Sequence, residues 1–291
     1  MQKKTSSHLD TNNKTLVIKT RICENIPEGQ HAPIWTLLCL GSFDKTVNNV
    51  IQRGEDITIV QIGAHTGYEK NDPLASGLTS MIHELGSTMH DKVHWTFVEP
   101  SPPNYERLVK NLANHSDVCE MHSVNAGVVP DGIADTTGMV FYSIRDTIDP
   151  ETGLDSLSGK TLPKWITQVS SFTKDPILHN RRVFKKNGLN VHDYIVEKNV
   201  TVKRYSDLMK EVVGKDQHVP LLVLIDTEGF DCNIVNGISA ASPFLPRYLV
   251  FEYKQCKPDA LQQVFEHLES MQYNVTKAND GENVVAVRTK Q

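Results

Sequence analysis

Two apolar runs, each with a distinctive ending, constrain this chain most. Ile57 to Ile62 leads into Gly63-Ala64-His65-Thr66-Gly67, and His94 to Val98 leads into Glu99-Pro100. Short runs rich in Val, Ile, Thr and aromatic residues favour strands. A strand that ends in glycine lets backbone approach a ligand closely, because glycine carries no Cβ and accepts positive φ. An acid at the tip of the next strand accepts hydrogen bonds from ribose hydroxyls. The two endings together predict a nucleotide-type cofactor at the edge of a parallel sheet, and therefore an enzyme.

Spacing narrows the cofactor. A dinucleotide fold wants Gly-x-Gly-x-x-Gly with its acid about 20 residues later. Gly63 and Gly67 follow a Gly-x-x-x-Gly spacing, and Glu99 lies well beyond that distance. This argues against nicotinamide and flavin. The Gly-Lys-Ser/Thr ending of a phosphate loop is missing from this segment, which argues against an ATPase. The plain alternative is that Gly63 and Gly67 only make a tight strand-to-helix turn.

The rest of the chain alternates strands with helices. Pro73 to Met89 reads as a helix with Asp72 as N-cap, and Ser101-Pro102-Pro103 opens a helix running to Asn114. Strands are predicted at Val118–Val124, Met139–Ile144, Val200–Lys203, Leu221–Ile225 and Tyr248–Phe251. Helices are predicted over Tyr205–Val213 and Phe230–Ile238, and from Asp259 to Met271. Tyr273–Thr276 and Val284–Val287, joined by Asn279-Asp280-Gly281, read as a closing pair with one antiparallel edge strand. This rhythm predicts an α/β fold, with a mostly parallel sheet covered by helices on both faces. Residues 1–15 read as a disordered tail, 16–54 as a helical preface, and 55–291 as the main domain with an insert over 147–190.

Composition excludes several classes. The formal net charge is -5, so no global positive field draws nucleic acid or an anionic membrane. Arg181 to Lys186 is basic, and reads as a solvated face. No run approaches the ~18 apolar residues that span a bilayer. The five cysteines are odd in number and widely spaced, which predicts a reduced, cytoplasmic protein without disulfides or a zinc site.

Four segments together resemble the FkbM family of S-adenosylmethionine-dependent methyltransferases. They are Gln61-Ile62-Gly63-Ala64-His65-Thr66-Gly67 with Asn71-Asp72-Pro73-Leu74, Val98-Glu99-Pro100-Ser101-Pro102, Leu224-Ile225-Asp226-Thr227-Glu228-Gly229-Phe230-Asp231, and Leu249-Val250-Phe251-Glu252. The resemblance covers roughly residues 55–290, and the Asp-x-Glu-Gly-x-Asp segment is its most specific piece. It implies a class I, Rossmann-like methyltransferase fold with a seven-stranded sheet and the last strand antiparallel. It also implies S-adenosylmethionine as donor and O-methylation of a hydroxyl. Gln61 and His65 depart from the family pattern, which usually has an acid near the first and Asn at the second. Thr66 departs too, since relatives with the Asn-Asp-Pro segment often carry Asp there.

Site residues follow from strand ends, where ligands lie in open parallel sheets. Gln61, Gly63, His65, Gly67, Glu99 and Asn125 are the cofactor candidates: Glu99 for ribose, Asn125 for adenine, Gln61 and His65 for the methionine part. Asp226 is the candidate for the acceptor's proton, with Glu228 and Glu252 beside it. Asp226 and Glu252 are also the candidates for a divalent cation, for which oxygen ligands would select Mg²⁺. Helix-start chemistry explains Glu228 equally well. The expected acceptor is a small molecule or glycan, with neither nucleic acid nor membrane as partner; oligomeric state is not readable. A non-catalytic binding module that keeps the fold is the alternative.

Overall fold

A computed structural model describes residues 53–67, 87–115, 117–137, 139–213, 219–278 and 281–289, with isolated positions at 43, 46, 47, 49, 50 and 79. The tail expected at 1–15 and most of the preface expected at 16–54 lie outside the described residues. So do the Asn71 to Leu74 segment and nearly all of the helix expected over Pro73–Met89.

In chain order the elements begin with β1 (Ile57–Ile62), β2 (Val93–Val98), α1 (Pro102–Ala113), β3 (Glu120–Val124), β4 (Gly127–Val129) and β5 (Val140–Ile144). Then come β6 (Ser170–Ser171), α2 (Asp175–His179), α3 (Arg181–Lys186), β7 (Ile195–Asn199), β8 (Val202–Arg204) and α4 (Tyr205–Val213). The chain closes with β9 (Leu222–Ile225), α5 (Asp231–Asn236), β10 (Tyr248–Glu252), α6 (Pro258–Ser270), β11 (Tyr273–Lys277) and β12 (Asn283–Arg288).

Seven strands form the main sheet, in the order β11-β12-β10-β9-β1-β2-β3. Strands β3, β2, β1, β9 and β10 are mutually parallel. The last strand, β12, is antiparallel to both β10 and β11. The antiparallel strand is therefore not at the edge, as expected, but one place inside it. The closing hairpin turns back so that β12 pairs with β10, and β11 is left outermost.

Alternation along each strand divides the core into two layers. Ile57, Ile59, Trp95, Phe97, Leu222, Leu224, Tyr248 and Val250 pack on one face with Leu108 and Leu112 of α1 and with Phe43, Val47 and Val50. Val60, Ile62, Val98, Val223, Ile225, Leu249 and Phe251 pack on the other, against Tyr205, Leu208 and Met209 of α4 and Val264 and Leu268 of α6. Both faces are covered, which is why β9 reads as an unbroken apolar run. At ~25 cal/mol per Å² of buried apolar surface, these layers are the main source of stability.

The predicted strand at Met139–Ile144 exists as β5, but it does not join the main sheet. It pairs antiparallel with β6 and β7 in a separate three-stranded sheet. This unit has its own core, including Ile144, Ile166, Ile177, Phe184 and Tyr194. The insert expected at 147–190 is thus the interior of a larger structure bounded by β5 and β7. Buried Asp155 accepts from Tyr194 Oη at 2.6 Å and from Ser158 Oγ at 2.5 Å. Those hydrogen bonds hold its carboxyl below the usual carboxylate range despite burial. Within the insert, Lys164–Gln168 forms a 3₁₀ turn.

The cysteine expectation is overturned. Cys232 and Cys256 form a disulfide, with Cα atoms 6.0 Å apart. Cys232 lies in the first turn of α5 after the β9 tip, and Cys256 follows the β10 tip. β9 and β10 are neighbours in the sheet, so residues 24 apart in sequence meet in space. The bond closes a loop for which chain-entropy arithmetic gives about 3 kcal/mol of stabilisation. Reduction, or Cys256→Ser, should lower the unfolding free energy by about that amount in denaturant titration. Unchanged stability, with no Cys232–Cys256 peptide in a non-reducing digest, would show that the bond does not form.

Candidate active site

The carboxyl ends of four parallel strands are laced together by backbone. Gly63 and Ala64 both donate N–H to Val98 O at 2.9 Å. Asp226 donates N–H to Ile62 O at 2.9 Å, and Glu99 donates to Val124 O at 3.1 Å. The tips of β9, β1, β2 and β3 therefore form one continuous rim.

Gly63 is where the rim is tightest. Its φ is +81°, and a Cβ built there would lie 1.7 Å from the carbonyl oxygen of Asp226. No side chain fits that gap. Gly67, at φ +69°, is tight for another reason: a Cβ there would lie 2.3 Å from Leu108 Cδ1, so glycine lets α1 close onto the sheet. His65 has φ +49° and Glu228 has φ +52°, a region costly for non-glycine residues. Both outliers sit in rim loops, where strain of this kind concentrates at functional sites.

Glu99 is buried and holds two loops together. Its Oε2 accepts from His65 N–H at 2.9 Å, and its Oε1 accepts from Ser101 N–H at 2.8 Å. Burial nevertheless pushes its carboxyl up to about 8, with these hydrogen bonds and one from Asn104 opposing the rise. These three donors occupy three of the four lone pairs of the ionised carboxylate, which leaves one to accept from a ligand hydroxyl. Asn125 donates its amide to Glu99 O at 2.8 Å and to Pro100 O at 3.3 Å, tying the β3 end to the β2 end. Ser101 occupies the N-cap position of α1 without a side-chain capping bond.

The second half of the rim is acidic. Asp226 is exposed at the β9 tip. Asp231 is fully buried and shapes the loop between them, accepting from Thr227 N–H at 2.9 Å and Gly229 N–H at 3.1 Å. Burial and the nearby Asp226 charge push Asp231 up to about 7. Glu252, at the tip of neighbouring β10, is pushed up to about 9 by burial and then by Asp226, Asp231 and Glu228. Glu228 is raised mainly by burial, and its Oε2 accepts from Gln255 Nε2 at 2.7 Å. Asp231 is the last residue of the Asp-x-Glu-Gly-x-Asp segment and lies in the first turn of α5, the one sign of its role that the sequence carries.

Gln61 shares the sheet face of Ile57 and Ile59, opposite Leu224 and Phe97. It is 7% exposed, and its Oε1 has no hydrogen-bond partner among the described residues. A buried amide oxygen in that state is costly without a ligand or water. The rim does not assemble a metal-ligand trio. Among the described residues, the one group of His, Cys, Asp or Glu whose ligand atoms lie within 4.8 Å of one another is His94, Glu120 and His122, which stands elsewhere.

The separate three-stranded unit closes over this rim. Phe172 lies between Phe141 and Phe230, with ring centroids 5.4 and 5.3 Å away. A Cβ on Gly229 would lie 3.2 Å from Pro176 Cγ, so α2 touches the Asp226–Asp231 loop. Trp165 is 44% exposed, and His179 and His192 are exposed, so none of these is part of the wall's buried face.

The family model described as "Methyltransferase FkbM domain" matches residues 61–275. No curated protein sequence matches the chain. Among solved structures, a precorrin-6y C5,15-methyltransferase from Geobacter metallireducens GS-15 is similar at 12% identity, with 80% of this chain and 81% of that chain covered and a TM-score of 0.33. An O-methyltransferase from Bacillus cereus in complex with SAH is similar at 10% identity, with 97% and 94% covered and a TM-score of 0.29. No helix among the described residues is long and apolar enough to cross a membrane. With the family match covering both the glycine loop and the acidic rim, the chain belongs to the FkbM family of S-adenosylmethionine-dependent methyltransferases.

Proposed function

We propose that this protein transfers a methyl group from S-adenosylmethionine to a hydroxyl oxygen of a small molecule or glycan. The observation that carries the reading is the continuous rim: Gly63 backbone against Asp226, with Glu99 bonded into the same loop. The donor, when bound, supplies an electrophilic methyl on a positively charged sulfur.

The residues fit that donor. Glu99 offers its remaining lone pair to the ribose, and Asn125 lies beside it for the base. The Gly63–Gly67 turn lets backbone approach, and Gln61 Oε1 is a buried acceptor in want of a donor such as an ammonium. Burial, and then the charges of Asp226 and its neighbours, raise the carboxyls of Asp231 and Glu252. A cationic ligand relieves the same repulsion. We assign this role to the donor's own charge, which supplies it without a further group.

Asp226 is the exposed carboxylate of the group, and we assign it the acceptor's proton. The chemistry needs the oxygen held in line with the transferring carbon and its proton removed. Phe172 and Pro176 make the wall that orders the acceptor and excludes water. Glu228 we assign to loop geometry rather than to proton transfer, given its φ and its bond to Gln255. The disulfide fits an oxidising compartment better than the cytoplasm, so the cytoplasmic expectation does not enter this reading.

Calorimetric titration with S-adenosylmethionine tests the assignment: binding supports it, and silence with both donor and demethylated product favours the non-catalytic module. Asp226→Asn should cut turnover about a hundredfold or more, a far larger change than any in donor affinity. Retained turnover removes Asp226 from the mechanism. Glu99→Ala should weaken donor binding by about tenfold or more, checked against its melting temperature. Equal affinity would refute the ribose role.

Acid–base linkage gives a further outcome. Glu252 and Asp231 hold protons in the folded chain that the unfolded chain has released above the ordinary carboxylate range. Their contribution to stability is therefore complete below pH 3.8 for Asp231 and pH 4.5 for Glu252, and is lost as pH rises through about 7 and about 9 respectively. Donor binding should run the other way, with affinity rising over the upper part of that window and protons released to buffer. Enthalpies that do not vary with buffer ionisation would contradict it.

A further inference from the structure

At the opposite end of the sheet from the rim, three side chains face one another across two paired strands. His94 is the second residue of β2, and its register partner is Glu120, the first of β3. His122 lies two residues on from Glu120 and so projects from the same face. Glu120 bridges the two imidazoles: Oε2 is 2.8 Å from His94 Nδ1 and Oε1 is 3.1 Å from His122 Nε2. One ligand atom from each of the three lies within 4.8 Å of the others.

A second observation concerns the far side of His94. Its Nε2 is 3.7 Å from Asp56 Oδ2, and Lys92 Nζ is 2.9 Å from Asp56 Oδ1. One nitrogen of His94 thus lies at hydrogen-bond distance from Glu120, and the other faces Asp56 at ion-pair distance, beyond a direct hydrogen bond. A carboxylate behind an imidazole fixes its ring and raises the basicity of the opposite nitrogen, an arrangement found where histidine ligates zinc.

We propose that His94, Glu120 and His122 form a zinc-binding site, with Asp56 positioning His94. Two imidazole nitrogens and one carboxylate oxygen are a recognised zinc donor set, and the fourth position is left to water. Paired strands hold the backbone of all three ligands, so little ordering is required on binding. The ion would replace the two Glu120–imidazole contacts and clip β3 to β2, because the ligands come from both strands. β3 is the outermost strand of the sheet on that side among the described residues, so such a clip acts where the sheet has a neighbour on one side only. This site is independent of the methyl-transfer reading, since it shares no residue with the rim.

The test is calorimetric titration of Zn²⁺ into the chelator-treated full chain, compared with His122→Ala, Glu120→Gln and Asp56→Asn. The proposal expects one zinc bound by the unaltered chain. It expects a loss of that binding event in His122→Ala and Glu120→Gln, and at least tenfold weaker binding in Asp56→Asn. Cobalt substituted for zinc should give visible absorption of a four-coordinate ion that disappears in His122→Ala. His122 is more than half exposed, so this variant keeps the test alive if another variant fails to fold. Equal zinc stoichiometry and affinity in all four chains, or no binding by the unaltered chain, would overturn the proposal.

Discussion

Everything at the candidate site depends on one close approach: the backbone of Gly63 against the carbonyl of Asp226. Only a residue without Cβ permits it. The approach brings the tips of β1 and β9 together, and the Ile62–Asp226 hydrogen bond fixes their register. From that contact the rim extends one way to Glu99, through His65 N–H, and the other way to Glu252, through electrostatic coupling of Asp226 and its neighbours. The strained His65 and Glu228 conformations belong to the same two loops. A rim made mostly of backbone tolerates side-chain departures, which is how Gln61, His65 and Thr66 coexist with a family-like arrangement.

Charge distinguishes the two halves of that rim. Glu99 sits among N–H donors that partly offset its burial, whereas Glu252 feels the charge of four other carboxylates, Asp226, Asp231, Glu228 and Glu282. The first half is built to accept hydrogen bonds from a neutral group. The second is built to receive positive charge. A donor with ribose at one end and charged sulfur and ammonium groups at the other matches this polarity, which neither half would specify alone.

Much of this was legible in the chain, and the reason is local. β1, β2, β9 and β10 are buried on both faces, so their apolar runs stand out, and α4 begins and ends where its periodicity does. Gly63, Glu99 and Asp226 were readable because each terminates such a run. What was not legible depended on pairing across long sequence separations. β12 enters the sheet between β10 and β11, a choice that alternation in either strand cannot encode. β5 looks like any other strand, yet it pairs with β6 and β7 because they share a separate core. The Cys232–Cys256 bond was hidden for the same reason: adjacency of β9 and β10 places the two thiols together, not their spacing. Asp231 was visible as an acid at a helix start, but its two hydrogen bonds to the rim loop needed coordinates.

The central proposal is that the rim holds the methyl donor, with its ribose at Glu99 and its charged end toward Asp226. An experimental structure of the protein with S-adenosylhomocysteine bound tests this most directly. The account predicts ribose hydroxyls within hydrogen-bond distance of the Glu99 carboxylate, and open space next to the sulfur bounded by Asp226 and Phe172. The ligand lying anywhere other than across the β1, β2 and β9 tips would contradict it.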